Sequence, residues 1–304
     1  MRFDQHRIET PLCTFHCLKW TPDTETPRPV AVLLHGFPET PKVFESLAGI
    51  LVERGYTVIA PWLPGYGTAP SLAKRTGRAT FLHHLAEAFG SLISVIATEN
   101  TVDKVTLVGH DWGAVCAYAT AAAHPEKLDR LVTMAVPPLS VFLGSFLRLP
   151  GQWRRSAYMV FMQPGMNVPE SLLQKRDYRR LQALCLDWSG GVATSEAYFR
   201  DADNAFSSLG DLNGPLSYYR GLFPILSGSG RRWLKAIRLA YRKISVPTVI
   251  LVGERDGCIP APCYEGFERQ FSEAVTFTII PNAGHFLPID APQSIADAVT
   301  QEIL

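Results

Sequence analysis

No stretch of this 304-residue sequence reaches the roughly 18 uninterrupted apolar residues that a membrane-spanning helix needs, so stable membrane insertion is not expected. The first twenty residues carry Arg2, Asp4, Arg7 and Glu9 and no apolar run of signal-peptide length. Cysteine is sparse: six residues, at 13, 17, 116, 185, 258 and 263, form no CxxC pair. That argues against a disulfide scaffold and for a reducing compartment, the cytoplasm. Cys13, His16 and Cys17 lie close together, but no second cluster stands at zinc spacing, so they read as buried or edge thiols and no metal is expected. Net charge is nearly absent as well. A formal +1 without an RNA- or DNA-binding signature argues against a nucleic-acid partner. Internal repeats and low-complexity tracts are also missing, which removes solenoids from consideration.

What is present is an apolar share of 47 %, enough to bury a sizeable core. The charges are unevenly placed. Residues 139–243 hold 15 Lys and Arg against 7 Asp and Glu, a net +8, so the remainder carries −7. The hydrophobic pattern separates the same segment. Two short alternating runs open the chain, and strands are then predicted at Val30 to Leu34, Thr57 to Ala60, Lys104 to Val108 and Leu128 to Val136. Helical spacing over 42–53, 79–97 and 114–124 fills the gaps between them, with Gly55 and Pro125 as stop signals. The alternation breaks for about a hundred residues rich in Arg, Tyr, Trp and Phe. It returns at Val246 to Val252, passes 261–271, and closes with a strand at Ala274 to Ile280 and a helix over 291–303. Strands alternating with helices predict an α/β fold, a mostly parallel sheet flanked by helices on both faces. The expected division is a core of 1–137 and 244–304 with a helical lid of 138–243 inserted into it.

The predicted strand at 104–108 runs directly into Gly109-His110-Asp111-Trp112-Gly113. In a G-x-nucleophile-x-G turn a strand ends abruptly and a helix begins, leaving the central side chain exposed above the sheet. Asp111 stands where esterases carry serine. A carboxylate is already ionised at neutral pH, attacks saturated carbon without help from a base, and leaves an ester that must be hydrolysed. The plain alternative is that Asp111 merely caps the helix that follows. Backbone N–H groups at that helix start, Trp112 first among them, can hold the negative charge of a tetrahedral intermediate.

An ester of this kind traps the enzyme unless a base delivers water to it. His285, in Ala283-Gly284-His285-Phe286 after the last strand, stands where the order nucleophile, acid, histidine places such a base. Asp256, in Gly253-Glu254-Arg255-Asp256, follows the preceding strand and would orient the imidazole, with Glu254 as its competitor. Phe286 adjoins the base. His35 and His110 flank the site and read as groups that shape it.

His35-Gly36-Phe37-Pro38-Glu39 together with the aspartate turn resembles the epoxide hydrolases of the α/β-hydrolase fold. The resemblance implies that Phe37 supplies a second oxyanion N–H from its backbone. Read alone, HGFP is only a strand-ending turn. Two lid segments, Tyr158 to Gly165 and Gly214-Pro215-Leu216-Ser217-Tyr218-Tyr219-Arg220, also resemble that family. They imply that Tyr158 and Tyr219 hold the epoxide oxygen and act as ring-opening acids, with Tyr218 the rival of Tyr219 and aromatic packing the alternative for all three. Phe161 is a candidate pocket residue. Glu39 is either a residue that places the hydrolytic water or a solvated loop charge.

The expected partners are a small apolar epoxide and water, with no cofactor and with the chain as a monomer or homodimer. Two other readings remain open at this point. A haloalkane or haloacid dehalogenase uses the same nucleophile and base, but commonly carries Asn after His-Gly, or Arg after the nucleophile, where this chain has Phe37 and Trp112. A non-catalytic binding protein on the same fold is the other.

Overall fold

Continuous apolar runs become strands buried on both faces, and this is what the computed structural model shows. It describes residues 3–301 apart from 24–27, 73–78, 165–166, 176, 202–204, 207–208 and 223–229. Every residue of β3 (Val30–Leu34), β4 (Thr57–Pro61), β5 (Val105–His110) and β7 (Thr248–Gly253) is buried. With β1 (Asp4–Glu9), β2 (Thr14–Trp20), β6 (Leu128–Met134) and β8 (Val275–Ile280) they form one eight-stranded sheet in the order β1-β2-β4-β3-β5-β6-β7-β8. The pairings among β3 to β8 are parallel, and β2 pairs antiparallel with both β1 and β4.

Side-chain alternation splits the core into two layers. Val30, Val32, Leu34 and Leu107 pack on one face with helices α2 (Leu82–Asn100) and α3 (Trp112–Ala123). Ala31, Leu33, Val58 and Val108 point the other way, onto α1 (Glu45–Glu53) and α12 (Pro292–Thr300). The alanine-rich sequence of α3 is buried almost along its whole length, because small side chains let it lie close to β5 and α2. In β2, Cys17 faces the core while His16, on the opposite side of the strand, bonds Thr68. Two of the three residues of that small cluster therefore point apart.

Between β6 and β7 the chain leaves the sheet and builds helices: α4 (Leu139–Arg148), α5 (Pro150–Arg155), α6 (Ala157–Phe161), α7 (Val168–Gln174), α8 (Arg179–Trp188), α9 (Ala193–Arg200), α10 (Asn213–Leu222) and α11 (Gly230–Ala240). The insert is thus helical, as its pattern predicts. Its seam with the sheet is close. Gly190 sits at φ +61 where an added Cβ would overlap the Arg255 carbonyl, so no other residue fits there without moving the lid.

Two elements differ from expectation. Residues 261–271 form two short 3-10 turns, Ala261–Tyr264 and Phe267–Gln270, rather than a helix. Pro262 and the left-handed Gly266 (φ 81) interrupt it. The stretch expected at 79–97 is a helix from 82 to 100, ended by Thr101 in the left-handed conformation. Among the described residues no helix is long and apolar enough to cross a membrane.

Candidate active site

Asp111 lies between the end of β5 and the start of α3 at φ 49 and ψ −118, a strained conformation for a residue with a side chain. The turn closes because Gly113 has no Cβ; one would overlap the carbonyls of Leu34 and His35. Asp111 does not cap the helix, since its side chain makes no hydrogen bond to the first turn of α3. Instead its Oδ1 accepts the backbone N–H of Phe37 at 2.7 Å. Trp112, the first residue of α3, has a backbone N–H with no intrahelical acceptor.

The other carboxylate oxygen faces His285. Nε2 of the imidazole is 3.6 Å from Asp111 Oδ2, and Nδ1 is 2.9 Å from Asp256 Oδ2. Asp256 is held in turn by the N–H groups of Cys258 and Ile259, at 2.7 and 2.8 Å on its Oδ1. Glu254, the competing carboxylate, is exposed and accepts the Asn282 N–H instead. Burial opposes charge on His285, but the Asp256 carboxylate at 2.9 Å and then the Asp111 carboxylate at 3.6 Å outweigh it and raise the imidazole pKa to about 10. Burial likewise works against an ionised Asp111, and its contact with His285 more than offsets this, leaving its pKa below the usual carboxylate value.

Behind the pair lies a buried polar layer. His110 Nε2 is 2.8 Å from the His285 carbonyl, which can only accept, so that nitrogen carries a proton. His110 Nδ1 is 2.7 Å from Glu39 Oε2, which also accepts the Gly36 N–H at 3.2 Å. Glu39 is therefore no solvated loop charge; it is fully buried, and its Oε1 has no partner among the described residues. His35 is fixed by backbone on both sides: Nδ1 donates to the Gly36 carbonyl and Nε2 accepts the Leu63 N–H. Burial lowers its pKa to about 4, so it is a neutral spacer at physiological pH.

The lid brings Tyr158 and Tyr219 together, their rings edge to face at 5.9 Å. Tyr219 lies against Phe37 at 5.5 Å and Trp112 at 4.9 Å, and its hydroxyl is buried without a hydrogen-bond partner among the described residues. Tyr158, on α6, places its hydroxyl 3.6 Å from Cys258 Sγ. Burial, and for Tyr219 the Asp111 charge next, keep both phenols protonated well above their usual pKa. Tyr218 is different. Its hydroxyl donates to the Pro64 carbonyl at 3.0 Å and its ring packs on Tyr66, so it anchors α10 to the core. Phe161 does not join the group. It is 37 % exposed on the lid surface, because α6 turns Met159 inward and carries Phe161 out. Of the lid segment that runs from Tyr158 to Gly165, Gly165 lies outside the described residues.

Sequence reading misses Trp188. At the end of α8 its ring lies 5.3 Å from His285 and 4.9 Å from Tyr158, and its carbonyl accepts the His285 N–H at 3.3 Å. Phe286 packs on His285, also at 5.3 Å, and on Trp188 at 6.3 Å. Asp290 is missed too; it joins the Gly284 N–H of the histidine loop to Thr194 and Ser195 of the lid. The isolated lid sequence carries no signal for either contact.

Residues 29–292 match the model of the alpha/beta hydrolase fold family. An epoxide hydrolase 3 of Siraitia grosvenorii is 40 % identical over 298 residues, spanning 88 % of this chain and 89 % of that protein. The chain belongs to the epoxide hydrolase family. An epoxide hydrolase 3 of Xenopus tropicalis is 31 % identical over 276 residues, covering 88 % of this chain and 69 % of its own. Among solved epoxide hydrolase structures, that of the potato protein superposes with a TM-score of 0.75 at 22 % identity, covering 97 % of each chain. That likeness is one of fold.

Proposed function

We propose that the protein hydrolyses an apolar epoxide to a vicinal diol through a covalent ester on Asp111. One observation carries the reading: a carboxylate stands at the elbow with one oxygen on the Phe37 N–H and the other facing a carboxylate-bound histidine. An Asp111 oxygen attacks a ring carbon and the carbon–oxygen bond breaks. The departing oxygen takes its hydrogen bond, then a proton, from Tyr158 or Tyr219, whose raised pKa values keep that proton available. The product of this step is an ester between Asp111 and the opened ring.

Ester formation removes the charge of Asp111, and with it one of the two carboxylates that hold the proton on His285. Its proton then passes to the tyrosinate left by ring opening, and the imidazole is free to accept one from water only after the ester exists. The hydroxide adds to the ester carbonyl carbon. Phe37 and Trp112 N–H groups hold the resulting oxyanion, a role in which one donor is worth roughly 3 kcal/mol in other enzymes. Collapse expels the diol, whose alkoxide takes the proton of the Asp111 carboxyl just formed, and Asp111 returns as a carboxylate, with one oxygen from water, beside protonated His285. Asp256 steadies the imidazolium throughout. Glu39, with one oxygen unpartnered, fits a role in placing that water, with His110 and His35 as its frame.

We take residues 138–243 as the lid that carries the phenols. Six free thiols support a reducing compartment such as the cytoplasm. Incubation with a styrene oxide-like epoxide and a 1-haloalkane tests the reading. Diol without halide is expected. Halide without diol would assign the site to dehalogenation, and neither product would leave a binding protein.

A further inference from the structure

We propose that the outer face of residues 147–161, on the lid, docks the protein onto an anionic lipid surface. Residues 150–161 run as nearly one helix bent at Ser156, whose N–H bonds the Gln152 carbonyl and whose carbonyl accepts the Met159 N–H, both at 2.9 Å. Gln152, Ser156 and Met159 form its buried stripe. The opposite stripe, Trp153, Ala157, Val160 and Phe161 at positions i, i+4, i+7 and i+8, faces outward. This is the side a surface helix normally gives to polar residues, yet Trp153 is 61 % exposed and Val160 66 %. Leu147, 88 % exposed, joins them, because the neighbouring Phe146 holds Trp153 by ring contact at 4.9 Å and by its carbonyl on the indole N–H. The pattern is local. Of the nine large apolar side chains exposed among the described residues, four lie between Leu147 and Phe161.

Charge identifies the partner. Arg148, Arg154 and Arg155 are interleaved with these apolar residues. Arg148 pairs with Glu265 at 3.4 Å; among the described residues the Arg155 side chain hydrogen-bonds the Gly257 carbonyl alone and that of Arg154 has no partner. A face of Trp, Leu and Val threaded with arginine is what a bilayer interface takes: the rings and aliphatic groups enter the headgroup boundary and the guanidiniums reach lipid phosphates. Residues 147–161 themselves carry three arginines and no Asp or Glu, within an insert of net +8 against −7 elsewhere, which favours an anionic surface. Tyr158 lies on the inner side of the same helix, so docking would set the roof of the site at the membrane, where apolar molecules collect.

Sedimentation of the full chain with vesicles, of phosphatidylcholine alone or mixed with phosphatidylserine, reads binding directly and so stands apart from what the site does to epoxides. The wild type should sediment with the anionic vesicles, more weakly with the neutral ones, and less as salt shortens the Debye length from about 10 Å at 0.1 M to about 3 Å at 1 M. Arg154→Glu, and separately the pair Leu147→Ser and Val160→Ser, should each lower the partition coefficient by about tenfold or more. Both variants change exposed side chains and should turn over a water-soluble epoxide as the wild type does. A wild type that stays in the supernatant overturns the proposal, as does sedimentation that both variants leave unchanged. So does a concentration-dependent dimer in lipid-free solution that the variants dissociate, because the face would then belong to a second copy of the chain.

Discussion

In the proposed reaction a carboxylate nucleophile and an imidazole base act in two steps, and changes at single residues separate them. Replacement of His285 by Gln should leave ring opening largely intact and slow ester hydrolysis by about 10²–10⁴-fold, so the intact protein should gain the mass of the epoxide. Turnover at the wild-type rate would remove His285 from its role. Tyr158→Phe and Tyr219→Phe should each slow ester formation by up to about 10²-fold, read by single-turnover quenching. Tyr218→Phe, which loses only the bond to Pro64, should instead cost about 1 kcal/mol of stability with ester formation unchanged. The ordering of Tyr219 over Tyr218 in the sequence rests on neighbouring residues alone, since adjacent tyrosines on a helix differ only in the direction they face. Asp256 over Glu254 is legible from the spacing after the strand. Trp188 against His285 is not, because that contact joins residues nearly a hundred positions apart and depends on how the lid lies.

Elements position these groups, and their pH behaviour follows from where they are held. The His285 pKa is raised from 6.5 to about 10 in the folded protein. Its charged form therefore adds stability that is fully present below pH about 6.5 and is lost as pH rises through about 10. Melting temperature should fall across that window, and the fall should be shallower in Asp111→Asn, which deletes one of the two carboxylates responsible. A wild-type melting curve flat from neutral pH to pH about 10 would contradict the coupling. The strands and the elbow are the most legible part of the sequence, because burial on both faces demands continuous apolar runs and the turn demands glycine on either side of Asp111. The 3-10 turns at 261–270 and the true ends of α2 are less so, since proline and left-handed residues end helices through local backbone geometry that apolar spacing does not encode.

At the scale of the molecule, lid and core meet around the site rather than beside it. The buried Arg220–Glu170 pair, at 2.6 Å with Arg220 also on the Pro164 carbonyl, ties α10 to α7 next to Tyr219. Glu170→Ala leaves that guanidinium without its carboxylate and should destabilise the protein by about 3–5 kcal/mol, measured by urea unfolding; a change within experimental error would mean the pair does not hold the lid. Charge asymmetry along the chain marks this insert in the sequence, whereas its seam with the core, through Gly190 and Asp290, emerges only from the fold. The proposed mechanism turns on a transient ester on Asp111, and one turnover with enzyme in excess in heavy-oxygen water tests that bond most directly. The label should enter Asp111 while the diol released stays light. A labelled diol from unlabelled protein would mean that water attacks the ring itself.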